Sequence, residues 1–202
     1  MISRRIDESR LLRAVASLAL LAAGGSSAFA HTGNVAGGFG GGFAHPLFGP
    51  DHVVAMVAVG LWGAFLGPPA IWLLPIVFPM VMAVGGVIGI LGLPLPGVEI
   101  GIALSAIVLG LMVALAAAPP LPVAAALVGA FAIFHGYAHG AELPPGADAV
   151  AYSAGFVFAT GLLHLTGIAF GTLARWPLGR IAVRAAGGAI ALAGVAFLSA
   201  AR

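Results

Sequence analysis

The chain contains no cysteine and no lysine. The absence of cysteine excludes disulfides, thiolate metal ligands and a cysteine nucleophile. All eight basic residues are arginine. Without lysine there is no GxxxxGK[ST] phosphate-binding loop, so the chain carries no ATPase domain of that kind, and it offers no Schiff base to a chromophore. Charge of either sign is scarce. Charged residues make up 7% of the chain, against about 25% in soluble domains, while 61% of residues are hydrophobic and the mean hydropathy is +1.15. Such a composition has no surface to offer water and takes the lipid bilayer as its solvent. The isoelectric point near 9.9 reflects four arginines within the first thirteen residues, and no basic patch suits nucleic acid.

The N-terminus reads as a secretory signal. Arg4, Arg5, Arg10 and Arg13 precede a short apolar run, and Ala28-Phe29-Ala30 forms an A-x-A cleavage site. Residues 1–30 are expected to be removed, leaving His31 as the mature N-terminus. Residues 31–46 are glycine-rich and expected to flex or turn tightly. Residues 47–202 then alternate apolar stretches with Pro/Gly breaks such as Gly67-Pro68-Pro69 and Pro119-Pro120-Leu121-Pro122. Lipid forces backbone hydrogen bonds to close within each segment, which makes the fold class all-α: a polytopic six-transmembrane-helix bundle. The spans are read at 47–66, 70–93, 98–118, 121–142, 149–172 and 181–200, each near the ~20 residues needed to cross ~30 Å of hydrocarbon. Signal cleavage places the mature N-terminus in the periplasm, and six spans put the loop at 173–180 inside. Arg175, Arg180 and Arg184 lie in and beside that loop, in accord with the positive-inside tendency for a protein of the bacterial inner membrane.

The few ionisable groups are clustered. Charged side chains at membrane depth cost ~2.5–3.5 kcal/mol on insertion scales, so their positions point to chemistry. His45 precedes Pro50-Asp51-His52, the opening turn of a helix, with Met56 one turn beyond His52 on the same face. Asp51 suits either cation binding or orientation of the His52 imidazole. In the fourth span His135, His139 and Glu142 share a helical face. Two imidazoles and a carboxylate there suit nickel, cobalt or zinc. Residue 136 is glycine, so the general base of an HExxH protease is missing. His164 lies deep in the fifth span, as an interhelical hydrogen-bonder or an inner ligand. Glu99 and Asp148 sit at span ends as rim residues, Glu99 being the better candidate for the entrance. The topology gathers His45, Asp51, His52, His139 and Glu142 toward the external face, with His135 ~10 Å deeper. Ser105 and Ser153 have no nucleophile-motif context, and no enzyme activity is expected.

At these residues the chain resembles the HupE/UreJ family of hydrogenase and urease accessory proteins, nickel or cobalt permeases. The resemblance rests on His45-Pro46, Gly49, Asp51-His52 and Met56 followed by Gly60-Leu61-Trp62-Gly63. It extends through Phe134 to Glu142, and through Gly155-Phe156, Ala159-Thr160, Leu163-His164 and Gly167. It implies a six-helix secondary transporter whose metal-handling set is His45, Asp51, His52, His135, His139 and Glu142; the positions of His31, Met56, Glu99 and His164 along the chain, read apart from the resemblance, make them candidate further path residues. Ni²⁺ or Co²⁺ would be the transported substrate, with no prosthetic group, and a homo-oligomer is compatible. Two alternatives stand beside it: a b-type haem protein using the histidines as axial ligands, and a metal-binding accessory or sensor protein that does not transport.

Overall fold

A computed structural model of the chain describes residues 37–201. The segment read as a signal peptide, and His31, lie outside the described residues. Seven α-helices and one 3-10 turn make up the described chain, with no strand among these residues: α1 (Phe39–Phe48), α2 (Pro50–Leu66), α3 (Ala70–Ile90), α4 (Val98–Ala114), α5 (Leu121–Ala141), α6 (Ala149–Gly171), the 3-10 turn (Thr172–Arg175) and α7 (Pro177–Ala200). Helices begin where the sequence supplies a start. Pro50, Pro122 and Pro177 occupy first-turn positions, where a missing N–H costs nothing. The Asp148 carboxylate caps α6, accepting from the amides of Val150 and Ala151 at 3.0 Å.

Four helices, α3, α5, α6 with its 3-10 turn, and α7, are long and apolar enough to cross a membrane. The count becomes five if α1 and α2, bent 83° from one another, form one broken span. The third span of the sequence reading corresponds to α4, which has only 17 residues and stops at Ala114, four residues short of the expected end. The glycine-rich segment also departs from expectation. Instead of turning or flexing it becomes α1 from Phe39 onward. Packing overrides the low helix propensity of glycine here. A side chain at Gly42 would collide with the Tyr152 carbonyl, and one at Gly155 with that of Phe39, so α1 lies almost backbone-to-backbone on α6.

The same device sets the other contacts. α3 pairs with α5 through Gly85, Gly89, Gly136 and Gly140, and α4 with α7 through Gly110 and Gly187. α2 runs through the middle, against α3, α4, α6 and α7. Its side chains Met56, Val59 and Trp62 are fully buried in the core. On α3, Trp72, Ile76, Met80 and Val84 are each more than half exposed. That continuous apolar stripe is suited to lipid.

The bundle has two unlike ends. At one, the C-termini of α2 and α4 meet the start of α7: the Trp62 indole donates to the Ala117 carbonyl at 2.9 Å, and the Arg184 Nε to that of Ala114 at 2.7 Å. Arg175 stacks over Trp176 at the same end. At the other are the starts of α2 and α4 and the end of α5, where the histidines and acids collect.

Candidate metal centre

Three helices deliver the site. α1 contributes His45, α2 contributes Asp51 and His52 in its first turn, and α5 contributes His135, His139 and, just past its last turn, Glu142. The bend at Gly49 turns α1 back over the start of α2, which brings His45 within 6.4 Å of His52, ring centre to ring centre. The glycine contacts between α3 and α5 fix the height of α5. The imidazoles then form a continuous chain: His45 to His139 at 4.7 Å, His139 to His52 at 4.4 Å, and His52 to His135 at 4.8 Å. All six residues of the set that the resemblance implies lie together here.

Exposure falls along that chain. The side chains of Glu142 and His45 are 56% and 34% exposed, whereas His139 and His52 are almost covered and His135 is fully buried. The site is therefore a funnel, wet and acidic at its mouth. Ligand atoms of His45, His139 and Glu142 lie within 4.8 Å of one another, and the His45 Nε2 is 3.5 Å from the Glu142 carboxylate.

Two of the imidazoles are oriented by hydrogen bonds that define their tautomers. The Asp51 carboxylate accepts from the backbone amide of His52 at 2.9 Å and faces its Nδ1 at 2.8 Å. A carboxylate only accepts, so Nδ1 carries the proton and Nε2 keeps its lone pair. Ser105, on α4, donates its single hydroxyl proton to the Ile102 carbonyl at 2.6 Å. Its oxygen, 2.9 Å from the His135 Nε2, must then accept from that ring. The lone pair of His135 is left on Nδ1. Both free nitrogens, and both nitrogens of His139, are buried without a hydrogen-bond partner. Buried lone pairs held by a partner on the opposite side of the ring are the usual arrangement of metal-ligating histidines.

Glu99 joins the site differently from Glu142. It is exposed and lines a cavity of about 270 Å³ together with Asp51, Pro50, Ile102 and Phe197. Met56 is fully buried one turn below His52 on α2. His164 is not part of the chain of rings: Phe78 stands next to both, 5.5 Å from His135 and 5.4 Å from His164.

Sequence reasoning missed Ser105 as the partner of His135. It missed Phe78 and Tyr152 too, the latter with its ring 6.2 Å from His45, and had Phe156, packed on His139 at 3.9 Å, only within the family resemblance. Tyr152, Phe156, Thr160 and His164 recur every four residues along α6, a buried stripe in which the polar members were a signal. No such signal existed for Ser105.

The family model described as HupE / UreJ protein matches residues 18–197. The chain is 48% identical over 190 residues to "Protein HupE" of Rhizobium leguminosarum bv. viciae, covering 94% of this chain and 97% of that protein. No solved structure matches. With a family match over nearly its whole length and a full-length relative at this identity, the chain belongs to the HupE/UreJ family.

Proposed function

We propose that the protein is a secondary permease of the bacterial inner membrane, taking up Ni²⁺ or Co²⁺ from periplasm to cytoplasm as its substrate. The observation that carries this reading is the unbroken run of four imidazoles from the exposed mouth to the buried His135, with carboxylates at the entrance and lone pairs free below. Nickel and cobalt accessory function for hydrogenase and urease, which the family resemblance implies, supports the choice of metals. Imidazole and carboxylate suit both ions.

In this reading α1 with α2, α3, α4, α5, α6 and α7 make six passages. α4 stands at the short end of the ~17–25 residues that span a bilayer. The mature N-terminus and the histidine end face the periplasm, and the arginine end faces the cytoplasm. Hydrated metal is drawn to Glu142, with Glu99 and Asp51 adding negative charge behind. It exchanges water for His45 and His139 first, then for the Nε2 of His52 and the Nδ1 of His135. The direct ring-to-ring packing favours a small ion over the haem alternative, since no slot for a macrocycle separates the imidazoles.

The test is uptake of radiolabelled nickel by proteoliposomes containing the purified protein. Wild type should accumulate metal, and Asp51→Asn, at equal protein level, should not. Normal accumulation by Asp51→Asn would overturn the assignment of the site, and binding without accumulation in wild type would favour the non-transporting accessory role.

A further inference from the structure

One buried polar group takes no part in the centre described above. His164 is 1% exposed, yet neither ring nitrogen has a hydrogen-bond partner. One turn earlier on the same face of α6, Thr160 is fully buried with its hydroxyl also unpartnered. The other threonines among the described residues behave differently: Thr166 donates to the Leu162 carbonyl at 2.8 Å and Thr172 to that of Ala169 at 2.7 Å. Thr160 forgoes that local bond. Either tautomer of imidazole carries an N–H, and an unmatched buried donor costs about 1–3 kcal/mol. Leucine or valine would fill the same space without that cost. A third polar group stands close by, the Pro75 carbonyl, beside the His164 ring but outside hydrogen-bonding geometry. It is left free within α3 because residue 79, which would donate to it, is proline.

We propose that His164, the Thr160 hydroxyl and the Pro75 carbonyl form an inner coordination station for the transported cation, across Phe78 from the four-imidazole cluster. The proposal rests on the permease reading. An imidazole nitrogen with two neutral oxygens suits a borderline divalent ion, and a station without carboxylates holds it more weakly than the outer site, as a release path requires. Phe78 lies next to both His135 and His164, so passage from one to the other requires its ring to swing aside. Pro75 and Pro79, on either side of it in sequence, remove two of the hydrogen bonds that would stiffen α3 there.

The absence of native cysteine makes a direct test possible. His164→Cys introduces a lone thiol, and Co²⁺ is the probe. Titrated into the full-length protein in lipid nanodiscs, Co²⁺ should give a near-ultraviolet sulfur-to-cobalt charge-transfer band in His164→Cys. Wild type should lack this band, as should Leu162→Cys, whose thiol would sit on the exposed face of α6. The visible bands of imidazole-bound cobalt report the outer site independently. If they appear in His164→Cys and the sulfur band does not, the inner station is overturned and a buried water is the occupant. If they are missing in wild type, the permease site itself fails. A second variant, His164→Leu, keeps side-chain bulk without polar atoms. It should retain outer-site binding and lose nickel uptake by at least about tenfold, the scale on which metal sites respond to losing one supporting group. Unchanged uptake would overturn the proposal.

Discussion

The two ends of the bundle treat their polar side chains in opposite ways. At the arginine end, donors are consumed by the backbone. The Trp62 indole and the Arg184 guanidinium each take a carbonyl from the chain that follows or ends α4, and Arg180 reaches toward the carbonyl of Ala174 at 3.5 Å. These contacts lock helix ends, where orphan carbonyls need partners. At the histidine end Asp51 and Ser105 take one ring N–H each, from His52 and His135, while the opposite nitrogens of those rings and both nitrogens of His139 are left without a partner. One end is closed and the other poised for a further ligand. The cost of an unmatched buried group is similar at both ends, so four open ring nitrogens on His52, His135 and His139, against none on the tryptophan and arginines described at the other end, mark the histidine end as a place where something binds.

The comparison breaks most completely if the open nitrogens are removed. The double variant His52→Ala/His139→Ala should lose Co²⁺ binding by more than about 100-fold, exceeding the 10–100-fold typical of supporting groups, measured by titration of the purified protein. Asp51→Asn comes next. It leaves every nitrogen in place but weakens the bond that holds His52 in its tautomer, and should cost about 10–100-fold in affinity. Ser105→Ala removes the neutral counterpart on His135 and should fall near the bottom of that range, about tenfold. An affinity unchanged in Ser105→Ala would mean that the His135 tautomer is fixed by something else. Acidification acts on the same lone pairs. A protonated imidazole cannot ligate, so binding should weaken as pH falls and recover as it rises. The stability of the arginine end should be indifferent to metal at any pH.

How much of this was legible in the sequence follows from what periodicity can see. Relations within one helix were plain. Asp51 beside His52 at a helix start, and His135, His139 and Glu142 on one face, needed only spacing. The convergence of those helices was anticipated from topology, because loops and charge placed their ends on one side. What spacing cannot carry is the register between helices. That register comes from glycine contacts such as Gly136 on the Met82 carbonyl and Gly167 on that of Val57, and it decides that Ser105 meets His135 and that Phe78 lies between His135 and His164. The α1 helix was hidden for a related reason. Its glycines oppose helix formation when read alone, and favour it only once α6 is present to be packed against. Glu99 was read as a rim residue, and only the fold reveals that it shares a cavity with Asp51.

The smallest expected effect tests the closed end. Arg184→Gln removes a cation and a hydrogen bond from the C-terminus of α4, where the Ala114 carbonyl is otherwise orphaned. Favourable charge at a helix C-terminus contributes roughly 0.3–1 kcal/mol when exposed, so thermal unfolding in detergent should shift down by about 1–3 °C for a chain of this size. Glutamine retains a donor of shorter reach, which keeps the loss toward the lower bound. Cobalt affinity should not change, because Arg184 lies at the opposite end of α4 from Glu99 and touches none of the imidazoles. If Arg184→Gln weakened cobalt binding while leaving the melting temperature alone, the two ends would be coupled through α4, and the division between a closed end and an open one would have to be abandoned.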